Sequence, residues 1–151
     1  MLRSFFLFAL SKIEDRGVAR AVPLALESAR SKDLDLRDTA VRTIGKFAEA
    51  VPPGGIREAH RSRMVGVLQK SLADLNPGIR AKAVRSLGKL AVKGHLTPLE
   101  SENLWATCNL ILGKDENFAW DRAYLVRREA EEVLGALRGR SQPGGGSLAA
   151  R

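Results

Sequence analysis

The chain has a single cysteine, Cys108, and only two histidines, His60 and His95, among its 151 residues. A lone cysteine cannot close an internal disulfide, and this little His and Cys cannot build a zinc finger. The apolar run at residues 5–10 falls short of the roughly 7 residues of a signal-peptide core and the ~20 of a membrane span. It is followed by no small-x-small cleavage site, so we expect an intracellular chain with no membrane segment. No stretch alternates apolar and polar residues with a period of two, which leaves no signal for a half-buried sheet. Gly-x-Ser-x-Gly, P-loop and Gly-x-Gly-x-x-Gly motifs are missing too, so the common nucleophile and phosphate loops are excluded. A collagen, a disulfide scaffold and a transmembrane bundle are likewise excluded. What remains is a globular balance, with 44% hydrophobic and 28% charged residues, and 25 Lys and Arg against 17 Asp and Glu. That excess of positive charge makes an anionic partner an early candidate.

The chain repeats itself. Ala40-Val-Arg-Thr-Ile-Gly-Lys-Phe-Ala48 returns as Ala83-Val-Arg-Ser-Leu-Gly-Lys-Leu-Ala91, with six of nine positions identical at an offset of 43. A weaker copy, Ala130-Glu-Glu-Val-Leu-Gly-Ala-Leu137, lies a further 47 residues on. Each is preceded by an apolar–Arg pair: Leu36-Arg37, Ile79-Arg80 and Val126-Arg127. A partial copy opens the chain, where Leu2-Arg3, Leu7 and Leu10-Ser11-Lys12-Ile13 match Leu36-Arg37, Val41 and Ile44-Gly45-Lys46-Phe47 at an offset of 34. In the second copy Ile79, Ala83, Val84, Leu87, Leu90 and Ala91 fall on one helical face. Asn76-Pro77 supplies a cap and an N1 proline. Further helices are predicted between the copies, at about residues 18–30, 56–72 and 98–112. The last opens on Thr97-Pro98-Leu99-Glu100, a capping box. The fold class is therefore all-α.

Paired helices at this period, with Asp74-Leu-Asn-Pro-Gly-Ile-Arg80, Ala83-Val84 and Leu87-Gly88-Lys-Leu90 in the second helix, resemble the HEAT-repeat family. The resemblance spans about residues 2–138. It implies a short right-handed α-α superhelix: a half repeat at 1–15, helix pairs at 16–51, 52–94 and 95–138, and a Gly-rich flexible tail at 139–151. It also implies a non-catalytic role in holding other macromolecules, with the second helices lining a concave wall. Glu131-Glu132 and an insertion near residues 115–121 depart from the pattern and mark the third pair as a cap or a specialised repeat. The family's iron-dependent hydroxylases use repeated His-Glu motifs, which are missing here. Similar helical-repeat DNA glycosylases use an Asp beside tryptophans, and Trp120-Asp121 is the sole such neighbour. An enzyme is not expected, and no cofactor or metal is expected.

Charge is segregated. Residues 36–96 hold twelve basic and four acidic residues, and residues 77–96 hold Arg80, Lys82, Arg85, Lys89 and Lys93 with no acid. With Ala40, Val41, Ile44 and Phe47 inward, one outward row is Asp38, Arg42, Lys46 and Glu49. Its equivalents are Ala81, Arg85, Lys89 and Val92, then Arg128, Glu132 and Ala136. On the implied concave wall, Arg42, Lys46, Arg85, Lys89 and Arg128 form a basic band flanked by Lys82 and Lys93, suited to an acidic protein partner. Nucleic-acid backbone is the alternative partner. Against both stands a merely solvated face, with Arg42 pairing Asp38 and Lys46 pairing Glu49. In the second copy Ala81 and Val92 replace those acids, so local neutralisation is not expected there. Arg3, Arg37, Arg80 and Arg127 are expected instead to pair structurally with turn carboxylates such as Asp33, Asp35 or Asp74.

Three smaller readings complete the picture. Phe5 and Phe8 either form an interface, for a homo-oligomer or a larger array, or fold back over the first repeat. Phe118 and Trp120 either anchor a partner or cap the last repeat. Cys108, at helical spacing from Leu104, Ile111 and Leu112, is expected to be a buried structural thiol, and both histidines are expected at the surface near turns.

Overall fold

A computed structural model describes residues 21–114 and 121–140, and these contain six helices and no strand. They are α1 (Val22–Ser28), α2 (Leu34–Ala50), α3 (Glu58–Ser71), α4 (Pro77–Val92), α5 (Pro98–Ile111) and α6 (Tyr124–Arg140). The segments containing Phe5, Phe8, Phe118 and Trp120 lie outside the described residues.

The helix starts follow from local chemistry. Asp33 accepts the Leu36 amide at 2.8 Å to cap α2, and Asn76 accepts those of Gly78 and Ile79 to cap α4. At α5, Thr97 and Glu100 form the reciprocal capping box. These side chains satisfy amide donors that the first helical turn leaves without partners. α4 stops at Gly94, whose φ of +79° is the left-handed conformation that glycine adopts without steric cost. Two ends differ from expectation. The helix expected to reach residue 30 stops at Ser28, where the Arg30 amide turns back to the Glu27 carbonyl. α6 runs two residues past the boundary expected at residue 138, and its Arg140 guanidinium donates to the Ala91 carbonyl of α4.

Packing forms two layers. α2, α4 and α6 lie side by side, while α1, α3 and α5 each pack against the helix that follows. One contiguous core runs between them, with Phe47, Leu26, Ile44, Met64, Leu68, Ile79, Leu90 and Leu134 fully buried. The α2–α4 and α4–α6 contacts are close because each passes over a glycine. A Cβ at Gly45 would stand 2.5 Å from Ser86 Oγ, and one at Gly88 would stand 2.5 Å from a Val133 methyl. Ser86 also donates its hydroxyl to the Val41 carbonyl at 2.9 Å, tying α4 to α2. On α6 the corresponding face changes character. Glu131, Gly135 and Arg138 stand where α2 has Val41, Gly45 and Ala48. All three are exposed, and Arg138 lies over the Trp105 ring at 5.6 Å.

Between the pairs runs a ladder of arginines. Arg37 forks onto Asp74 at 2.7 and 3.3 Å and donates to the Ser31 and Lys32 carbonyls. Arg80 repeats this with Asp121 at 2.7 and 3.0 Å and the Asp74 and Leu75 carbonyls. Arg127 makes the same two carbonyl contacts, to Asp121 and Arg122. Ser31, Asp74 and Asp121 also each accept the amide two residues on. These residues stand 43 and 47 apart, the offsets of the sequence copies. Of the expected acids, Asp74 holds Arg37, while Asp33 serves as the α2 cap. Asp121, the Asp beside Trp120, is held by Arg80.

His95 departs from expectation. It is 4% exposed, and its Nε2 lies 3.0 Å from the Ala48 carbonyl and 2.9 Å from that of Val51. An Nε2–H shared between them caps carbonyls that the end of α2 leaves open. The turn is held from outside by Arg61, which donates to the His95 carbonyl at 3.0 Å and pairs with Glu100 at 2.7 Å. Cys108 is fully buried, and burial pushes its thiol up to about 12. Reaction with a disulfide reagent at neutral pH is therefore expected to be at least ~100-fold slower in the folded protein than in urea. Equal rates would place the thiol at the surface.

Candidate partner-binding site

The solvent face of α2, α4 and α6 carries the basic band. Arg42 and Lys46 from α2 and Lys82, Arg85 and Lys89 from α4 line one open cleft of about 180 Å³, with Ser86 among them. They reach it because the apolar stripe of each helix turns the opposite way, into the core. Ala81, expected in the outward row, is instead buried at 3% exposure, and Lys82 takes the place beside the cleft.

The second-copy cations are neutralised after all, through partners one helix away. Lys82 pairs with Asp38 of α2 at 2.5 Å, and Lys89 reaches Glu49 of α2 at 3.4 Å. Arg85 forks onto Glu129 of α6, with Arg128 at 3.7 Å from the same carboxylate. The pair Lys46–Glu49, expected within one helix, is present at 3.4 Å. These bonds differ in kind. Glu129 is 1% exposed, so Arg85 holds a buried charge, whereas the lysine pairs are half-open and exchange readily with an incoming anion. Burial lowers the Lys89 pKa, the Lys46 and Arg85 charges lower it further, and Glu49 only partly opposes them.

Beside this cleft, across Arg85 and Lys89, lies a second one of about 190 Å³ between α4 and α6. Its surface is mostly apolar, with Gly88, Val92, Val133 and Ala136 in a lining that also includes Lys93, Glu49, Glu129 and Glu132. The sequence offsets relate the six lining residues of the first cleft to six of the ten that line the second. Arg42, Lys46, Lys82, Arg85, Ser86 and Lys89 of the first correspond to Arg85, Lys89, Glu129, Glu132, Val133 and Ala136 of the second. At these six positions Arg and Lys recur at the first two, acids replace Lys82 and Arg85, and apolar Val133 and Ala136 replace Ser86 and Lys89. Sequence reasoning did not single out Val133 or Glu129, because the outward row it followed in the third copy was Arg128, Glu132 and Ala136. Carrying both offsets through every position would have found them.

Comparison with protein-family models, with curated proteins and with solved structures finds no match to this chain. The site must therefore be read from its own chemistry. Among the described residues no helix is long and apolar enough to cross a membrane. Nor do three or more His, Cys, Asp or Glu side chains gather among them as metal ligands would.

Proposed function

We propose that this chain is a non-catalytic, HEAT-like scaffold acting inside the cell, and that it binds an acidic protein segment through the α2–α4–α6 face as its concave wall. The observation that carries the reading is the convergence of Arg42, Lys46, Lys82, Arg85 and Lys89 on one cleft. Cations mounted on packed helices meet an anion without the entropy cost of ordering a loop. A protein partner is favoured over nucleic acid because Asp38, Glu49 and Glu132 are interleaved with the cations. A continuous phosphate backbone crossing this face would meet like charge at each of them, whereas a peptide can place its acids selectively.

The test is fluorescence anisotropy with a labelled acidic peptide, a duplex DNA and a single-stranded RNA, each across a salt series. The acidic peptide is expected to bind most tightly and to weaken as salt rises. The double substitution Lys46→Gln with Lys89→Gln is expected to cost about five- to ten-fold in affinity while leaving the melting temperature within a few degrees. Preferential duplex binding with a steep salt slope would transfer the face to nucleic acid. No binding of any of the three at low salt would end the proposal.

A further inference from the structure

The two equivalent clefts have different chemistry, and that difference specifies more about a partner than charge does. The cleft between α4 and α6, at about 190 Å³, is smaller than the roughly 300–1,000 Å³ of small-molecule sites. It is sized for a single apolar side chain. Its floor includes Val92, which is 38% exposed, although its α2 counterpart is the charged Glu49. The cationic cleft lies immediately beside it, sharing Arg85 and Lys89 as the dividing ridge. Neighbouring packed helices stand about 8–10 Å apart. A chain crossing them in extended form advances about 3.3 Å per residue, so equivalent clefts on successive helices are about three residues apart along it.

Resting on the reading of this face as a protein-binding surface, we infer that the partner is an amphipathic acidic segment crossing the helices in extended form. It seats one apolar side chain between Val92, Val133 and Ala136, and it places acidic side chains two and four residues away, on the same side of the extended chain, against Lys46, Lys82 and Lys89. Charge complementarity selects the acidic half of this motif, and the mostly apolar surface of the second cleft, with Val92, Val133 and Ala136 in its lining, selects the apolar half.

The probe is a labelled Gly-Ser peptide carrying acids two and four residues before a Phe. Two control peptides have Ser in place of the Phe, or the Phe moved next to the acids. Against the full chain, the Phe peptide is expected to bind about ten-fold or more tighter than the Ser peptide, in line with burial of one large side chain. The displaced-Phe peptide should lose most of that gain. Val92→Asn and Ala136→Gln, separately, should erase the Phe advantage while leaving affinity for the Ser peptide unchanged. Both sites are solvent-facing, and circular dichroism with a thermal melt confirms that each variant folds. If Phe and Ser peptides bind equally, or the Phe advantage survives both substitutions, the apolar seat is wrong while the acidic-segment reading stands. If neither peptide binds at low salt, both readings fail together.

Discussion

Reversing Arg85 to Glu is expected to destabilise the protein by about 3 kcal/mol, although the residue sits on the binding face. Its guanidinium forks onto Glu129, whose carboxylate is buried between α4 and α6. Removing one partner of a buried ion pair costs about 3–5 kcal/mol, because the other charge is left in a medium that solvates it poorly. Arg85 itself is half-exposed, which screens the pair and puts the effect at the lower end of that range. A second carboxylate beside the first adds repulsion. Urea titration should show the midpoint falling, with the slope unchanged. The double variant Arg85→Glu with Glu129→Gln should recover most of the loss, since an amide in the buried position carries no charge to repel. A midpoint for Arg85→Glu equal to that of the parent would mean that Glu129 is solvated in another way. Charge reversal at this position consequently cannot serve as a clean probe of partner binding. Lys46 and Lys89, whose pairs are open, can.

The second large effect belongs to the arginine ladder. Arg80→Ala is expected to cost about 2–4 kcal/mol, since it strips Asp121 of two bonds and leaves the Asp74 and Leu75 carbonyls without their donor. The ladder also predicts an acid limit to stability. Burial pushes the Asp121 carboxyl up, but the Arg80 guanidinium, the Ala123 amide and the Arg127 charge outweigh it and hold it below the usual carboxylate range. Asp74 is held low in the same way, by Arg37, the Asn76 amide and Arg80 against its burial. A carboxyl that is more acidic folded than unfolded contributes its full stability above the unfolded pKa of about 4. It loses that contribution as pH falls through the folded value. The melting temperature should therefore be flat from neutral pH to about pH 5 and fall below about pH 4. Asp121→Asn should lower it at neutral pH, and the gap to the parent should narrow as the solution is acidified. A gap that stays constant down to pH 2 would show that Asp121 gains nothing from being charged.

Much of this was legible in the chain. The capping residues Asn76 and Thr97, the helices they open and the inward apolar faces follow from local spacing, because a helix start and an amphipathic stripe are satisfied within a turn or two. The convergence of Arg42, Lys46, Arg85 and Lys89 on one face was legible too, since identical spacing in two copies puts their side chains in register. Three things were not. His95 looked like a turn residue because its ligands, the carbonyls of Ala48 and Val51, lie more than forty residues away. Lys82 looked peripheral and Ala81 outward because α4 packs between α2 and α6, and the sequence of one helix does not record which of its flanks those neighbours cover. The acids that neutralise the second copy were sought within the same helix, where Ala81 and Val92 stand, and they came from α2 and α6 instead.

By itself the sequence determined the helices, their order, their period and the side of each that faces the core, because these depend on contacts between residues a few positions apart. Only the tertiary structure decided which charge meets which. An ion pair depends on the separation of two side-chain tips, and across packed helices that separation is set by the glycine contacts at Gly45 and Gly88. Those contacts bring Lys82 to Asp38 and Arg85 to Glu129. They also place an apolar cleft beside a cationic one on a face that, read as sequence, was simply basic.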